Sequence, residues 1–262
     1  MTPAPSRARA TATRPAPSHV VVRIEPAFDA WRDAARWLLH AGIAPDGVTW
    51  RGAADAQGDL LDDADGARVV THDPGTRATL MSGGDPRAAA APGSATSFRV
   101  PRRFVAPATM AACHADARRW GVMYRVLWRV VHGEPRLLDV AVDDDVHRLL
   151  RMERMVRHEV HKVHAFVRFR RVLVPDAPDG EHWVAWFAPV HDCLALAARF
   201  FARRFPNMRW SILGPRRSAH WDGASAIRSG TIAASGSACQ YRFGISASIA
   251  RGRVRAGLKM LA

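Results

Sequence analysis

Apolar residues recur at two different periods along this chain of 262 residues. "HVVVRIEP" is a short apolar run that predicts a strand. "FDAWRDAARWLLHAG" follows with Phe28, Trp31, Ala35 and Leu38 at helical steps, which predicts a helix closed by Gly42. "GVTWRG" predicts a second strand. Residues 53–97 are rich in Gly, Ala, Asp and Pro and read largely as a loop insertion, with "ARVVTH" a short strand inside it. Order resumes at "SFRVPRRFV". From Ala106 to His132 the pattern is helical, with Trp120, Met123, Tyr124, Leu127, Trp128 and Val131 three or four residues apart or adjacent, until Gly133 and Pro135 break it.

A long helix is expected to begin near Asp143, where three consecutive acids suit the free amides and the dipole of a helix N-terminus. At 100° per residue, Val146, Leu149, Met152, Val156, Val160 and Val163 fall within a sector of roughly 120°, the width of a core-facing stripe. Arg151, Arg154, His158 and His161 occupy roughly 80° on the opposite side, with His164 at the edge of the apolar stripe. After His164 the period changes to two in "AFVRFRRVLV", which places Phe166, Arg168 and Arg170 on one face of a strand. "HWVAWFAPV" answers it across "PDAPDGE" as a hairpin. "DCLALAARFFARRF" is a further amphipathic helix, and "MRWSILGPRRSAHWDG" a last hairpin turning at Gly214-Pro215.

These elements predict an α+β fold of short antiparallel strand pairs with helices packed against them, in one main domain over residues 20–222. Residues 1–19 read as a disordered Arg/Pro/Ala-rich extension. Residues 223–262, rich in Ser, Ala and Arg and free of acids, read as a disordered basic tail or a frameshifted or truncated end.

Charge changes this picture less than its size suggests. The net charge of +14 rests on 38 basic residues, of which only Lys162 and Lys259 are Lys, a skew that suggests a GC-rich coding sequence. Residues 1–20 carry three Arg and no acid, and residues 223–262 five Arg, one Lys and no acid, which leaves +5 for the middle. That balance permits nucleic-acid binding without demanding it. Cys113, Cys193 and Cys239 are odd in number and far apart, so neither a disulfide framework nor a zinc ribbon is implied, and a reducing cytoplasmic compartment is expected. No apolar run is long enough to cross a membrane.

Candidate chemistry concentrates in "VRHEVHKVHAFVRFRRV", where His158, His161 and His164 stand three apart. A zincin needs H-E-x-x-H, whereas His158-Glu159 is followed by Lys162. Two arginines on the same ridge would also repel a cation, so no metal is expected. The ridge of Arg151, Arg154, His158, His161 and Lys162, continued by Arg168 and Arg170, reads either as a solvated basic face or as a phosphate-binding surface. In the last hairpin Ser211, Ser218, His220 and Asp222 offer a nucleophile and a base, or a structural network held by Trp210 and Trp221. No phosphate-binding glycine loop and no nucleophile-elbow motif appears, so no cofactor is expected.

The segments "FDAWRDAARWLLHAGIAPDGVTW", "FRVPRRFV", "YRVLWRVVHGEPRLLD", "HEVHKVHAFVRFRRV", "HWVAWFAPVHDCL" and "FFARRFPNMRWSILGPRRSAHWDG" resemble a bacterial family of probable DNA metabolism proteins, the domain of unknown function 4130. The resemblance covers residues 20–52 and 97–222. It implies a domain that stands alone beside a radical-SAM protein or is fused ahead of a uracil-DNA glycosylase-type domain. The family's Arg-Asp-Ala-His-Lys-Met-His pattern maps onto His158, Glu159, Val160, His161, Lys162, Val163 and His164, so His158 stands where the family has Arg. His164, Trp210, Ser211, His220, Trp221 and Asp222 form a family-motif site. The implied role is that of a DNA-associated accessory domain in repair or modification, with DNA, a radical-SAM protein or a glycosylase domain as partner and no membrane. The alternatives are a nucleic-acid hydrolase working through the His161 and His220 regions, or an interaction module for the radical-SAM partner.

Overall fold

The computed structural model describes residues 19–52, 68–72, 98–173, 181–224 and 227–231. Its contacts divide into two compact units, Met1–Ser97 and Phe98–Ala262, taken in turn below. The fold is α+β, as the sequence pattern predicts, but its strand pairing is not purely antiparallel.

The first unit carries β1 (Val20–Ile24), α1 (Phe28–His40), β2 (Val48–Gly52) and β3 (Arg68–His72), with β1 between the other two. Both pairings are parallel, which corrects the expectation of antiparallel pairs here. The reason is the connection. A thirteen-residue helix lies between β1 and β2 and serves as a crossover, returning the chain to the same end of the sheet. A central parallel strand is covered on both faces. Val20, Val21, Val22 and Ile24 are accordingly all buried. The α1 helix buries Trp31, Ala34, Ala35 and Leu38. It stops where Gly42, at φ +66°, lets its own amide reach Leu39 O and the Ile43 amide reach Leu38 O at 3.0 Å. His19, assigned above to the N-terminal extension, bonds through Nε2 to Thr49 Oγ1 at 2.9 Å. Residues 1–18 lie outside the described residues, as does most of the 53–97 insertion.

The second unit runs α2 (Arg102–Ala111), α3 (Arg119–Val131), α4 (Asp144–Phe166), β4 (Arg170–Leu173), β5 (Glu181–Trp186), α5 (Leu194–Arg204), β6 (Trp210–Leu213), β7 (Arg217–Trp221) and β8 (Ile227–Thr231). Its five strands lie in sequence order. The β4–β5, β6–β7 and β7–β8 pairs are antiparallel, and β5–β6 is parallel because α5 crosses between them. The two expected hairpins are present. The Gly214 position in the second is tight: a Cβ there would stand 2.7 Å from both Arg217 O and Leu194 Cδ1.

Three expectations need correction. The single helix over 106–132 is two helices, because polar side chains capture the backbone between them. The Asp116 amide donates to His114 Nδ1, and Asp116 Oδ1 accepts from the Arg118 amide at 2.9 Å. Helix α4 runs on to Phe166, and the strand begins only at Arg170. Phe166, Arg168 and Arg170 therefore do not share a strand face. Finally, β8 lies inside the segment read as a tail, so ordered chain extends past residue 222; residues 232–262 lie outside the described residues.

The core of this unit lies between the sheet and its helices. Val156, Val163 and Val167 from α4 and its C-cap meet Leu194, Ala197 and Phe201 of α5, over Ala185, Trp210, Ile212 and Ala219 of the strands. Leu149 and Val146 are fully buried as expected, whereas Val160 is half-buried.

Candidate nucleic-acid interface

Helix α4 organises the candidate site. Asp143 caps it, with Oδ1 accepting from the amides of Asp145 and Val146 at 3.1 Å each. With the apolar stripe committed to the core, Arg151, Arg154, His158 and His161 are exposed. Among the described residues none of these four has a carboxylate within ion-pair distance. Lys162 is different, because its Nζ lies 3.5 Å from Glu159 Oε2.

Two buried carboxylates on α4 escape the periodicity argument. Glu153 is buried and pairs with Arg157. Glu159 is buried too, and its Oε1 accepts from the Val190 amide at 3.0 Å. Glu159 thereby ties α4 to the segment between β5 and α5. That segment is held from other sides as well. Arg217 Nε reaches both carboxylate oxygens of Asp192 at about 3 Å, and Arg216 donates to Pro189 O. The buried His191 stacks on His114 at 4.3 Å and accepts from the Ala115 amide at 3.2 Å through Nδ1. Burial lowers the pKa of both histidines, so they are neutral near pH 7. Nothing in the local sequence pattern marks this pair, since 77 positions separate its members.

The three histidines of the α4 motif do not converge. His158 and His161 face outward, while His164 stacks on Phe200 of α5 at 4.3 Å and meets Phe201 edge-on. Its Nε2 is buried with no hydrogen-bond partner among the described residues, and burial lowers its pKa. No cluster of three His, Cys, Asp or Glu side chains arranged to hold a metal occurs among the described residues.

His164 instead lines a groove of about 510 Å³ with Arg168, Phe169, Trp183, Phe200 and Phe205. Arg168 does not lie along a strand. It sits just past the α4 C-cap, where its Nη1 donates to Ala165 O at 2.7 Å and Val167 O at 3.1 Å. That placement satisfies carbonyls left open at the helix end and sets a cation against the negative end of the dipole. Arg170 is exposed on β4, and Phe166 is 65% exposed at the last helical position.

The remaining motif residues divide between the two faces of the sheet. Trp210 is buried in the helix-side core, its Nε1 without a partner among the described residues. Trp221 is partly buried against the same core and donates to Pro206 O at 2.9 Å. Ser211 and His220 are brought together on the opposite face, along with His182, which sequence reasoning missed. Ser211 Oγ lies 2.7 Å from His182 Nε2 and 2.7 Å from His220 Nδ1. Period-two alternation in "HWVAWF" could have placed His182 there, since it falls on the Val184 side. Burial first, and His182 second, push the His220 pKa down to about 4. Ser218 is buried on β7. Asp222 is exposed and accepts from the Ala224 amide at 2.9 Å. His161, on the outer side of α4, is likewise not brought to His220.

The second unit is thus an α+β layer in which a long basic helix backs a mixed five-stranded sheet. Residues 117–235 match the model of a domain of unknown function, DUF4130. The match starts later and ends later than the resemblance traced above, and it takes in β8. No curated protein and no solved structure matches the chain.

Proposed function

We propose that the second unit is a DNA-associated accessory domain that grips the phosphate backbone through the outward face of α4, without catalysing a reaction of its own. The observation that carries this reading is the row Arg151, Arg154, His158 and His161: exposed, on one side of a helix whose other side is core, and without carboxylate partners among the described residues. The two arginines of this row, not neutralised within the protein, are available to displace counterions from a polyanion. Arg168 at the helix end and Arg170 on β4 extend the row. An accessory role also fits the radical-SAM or glycosylase partners that the family resemblance implies. Against the hydrolase reading stands the burial of the sheet cluster, where Ser211 is enclosed and its hydroxyl lies 2.7 Å from both His182 and His220.

Phosphate contacts carry no sequence information, so binding should be modest in affinity, indifferent to sequence and steeply salt-dependent. Replacing Arg151, Arg154 and Arg170 together by Gln should weaken binding to all duplexes alike. If each contacts one phosphate, the salt slope should flatten by about 2.7, at 0.9 per phosphate. Fluorescence anisotropy of labelled duplexes between low and moderate salt measures both. An unchanged affinity and slope in a folded variant would leave the ridge as a solvated face only.

A further inference from the structure

We infer that the groove between the end of α4 and α5 receives an unpaired nucleobase, so that the domain prefers single-stranded or locally opened nucleic acid to intact duplex. This rests on the phosphate-ridge reading above and names the substrate form of that surface.

The argument is the chemistry of the walls. Phe169, Trp183, Phe200 and Phe205 present aromatic rings around about 510 Å³, and His164 adds a ring stacked on Phe200. Phe169 is already met edge-on by Phe201 and Phe205, so these rings are braced against one another. Phe200 is 37% exposed, a large apolar ring left open to solvent beside the groove. Aromatic faces held in place near water suit a flat π-system, and every base has one.

A purely apolar guest would leave the rest of the wall unused. Arg168 and Arg204 also line the groove; both are exposed, and Arg204 lies 5.6 Å from the Phe205 ring. Among the described residues no acidic side chain lines it. A guest that is flat, aromatic and attached to an anion matches both features, and a nucleotide is such a guest. Helix α4 carries the cation row outward, so a strand held there would reach the groove at the helix end. Bases stacked in a duplex cannot enter without being unpaired, at a cost of a few kcal/mol. That cost is the source of the expected preference.

The test uses the full chain with four probes: a 15-nucleotide oligo-dT, the matching oligo-rU, a duplex of the same length, and oligo-dT with one central 2-aminopurine. The wild type should bind oligo-dT at least tenfold more tightly than duplex, and the 2-aminopurine emission should be quenched on binding. The Phe200→Leu variant should lose the tenfold preference and the quenching, and Phe200→Trp should restore both. Duplex affinity and its salt slope should stay unchanged in either. Equal binding of oligo-dT and oligo-rU supports recognition through the ring face and phosphate common to both. Wild type that binds duplex as well as single strand, or Phe200→Leu that keeps the preference, overturns the groove assignment and leaves the ridge standing. Failure of every probe to bind overturns both.

Discussion

Replacing Asp143 by Ala should loosen the first two turns of α4 by about 0.5–3 kcal/mol, and the structure divides that effect into two parts. Asp143 Oδ1 satisfies the Asp145 and Val146 amides, and loss of such a cap costs about 0.5–2 kcal/mol. Its Oδ2 also lies 2.8 Å from Arg129 Nη1, a pair with side chains 32% and 16% exposed, which contributes about 0–1 kcal/mol. Asp143→Asn keeps the acceptor and removes the charge, so it should show only the second, smaller part. The pH dependence follows from the same contacts. Burial raises the Asp143 pKa, but the Val146 amide, Arg129 and the Asp145 amide together lower it below the usual carboxylate value. A group depressed in this way stabilises the fold fully above its unfolded pKa, about 3.9, and loses that contribution as pH falls through its folded value. The gap between wild type and Asp143→Asn should therefore be present at pH 7 and shrink below about pH 4. Amide hydrogen exchange over residues 144–152, compared between variants at one pH, reads the local opening energy, with about 1.4 kcal/mol per tenfold change in rate. Protection in Asp143→Ala within a factor of two of wild type would refute the capping argument. So would Asp143→Asn as unprotected as Asp143→Ala.

The buried His220, with its pKa pushed down to about 4, takes up its proton in the unfolded chain first, near pH 6.5. Its contribution should be complete above about pH 6.5 and fall toward pH 4, and urea midpoints for His220→Gln should decline less over that window than those of wild type. Cys113 and Cys193 have thiols that burial, above all, pushes up to about 11 and about 12. In a Cys239→Ser variant at pH 8 neither should react with iodoacetamide until urea is added, and mass spectrometry of the native protein would expose any error.

Local signals carried the elements, and non-local ones decided how they meet. The strand of "VVVRI", the helix ending at Gly42, the Asp143 cap and the turn at Gly214 are each set within a few residues, so the chain shows them directly. The parallel pairing of β1 with β2 and of β5 with β6 depends on a helix returning the chain, which alternation alone does not reveal. The break between α2 and α3 depends on His114 and Asp116 taking backbone partners, where their apolar neighbours continue the helical period. Stacked His114 and His191, and the chain from His182 through Ser211 to His220, are assembled by tertiary packing. The motif around His158 shows most clearly what spacing can and cannot say. A step of three residues turns a helix by about 300°, so consecutive histidines drift by about 60° around its axis. That drift takes His158 and His161 along the solvent side and delivers His164 to the rings of α5. Between them Glu159 turns inward to hold the Val190 amide, and Val163 enters the core. One seven-residue run thus supplies an outward polar ridge, a structural tether, core packing and one ring of an aromatic groove. Its histidines look like a single site only while the helix is left unwound.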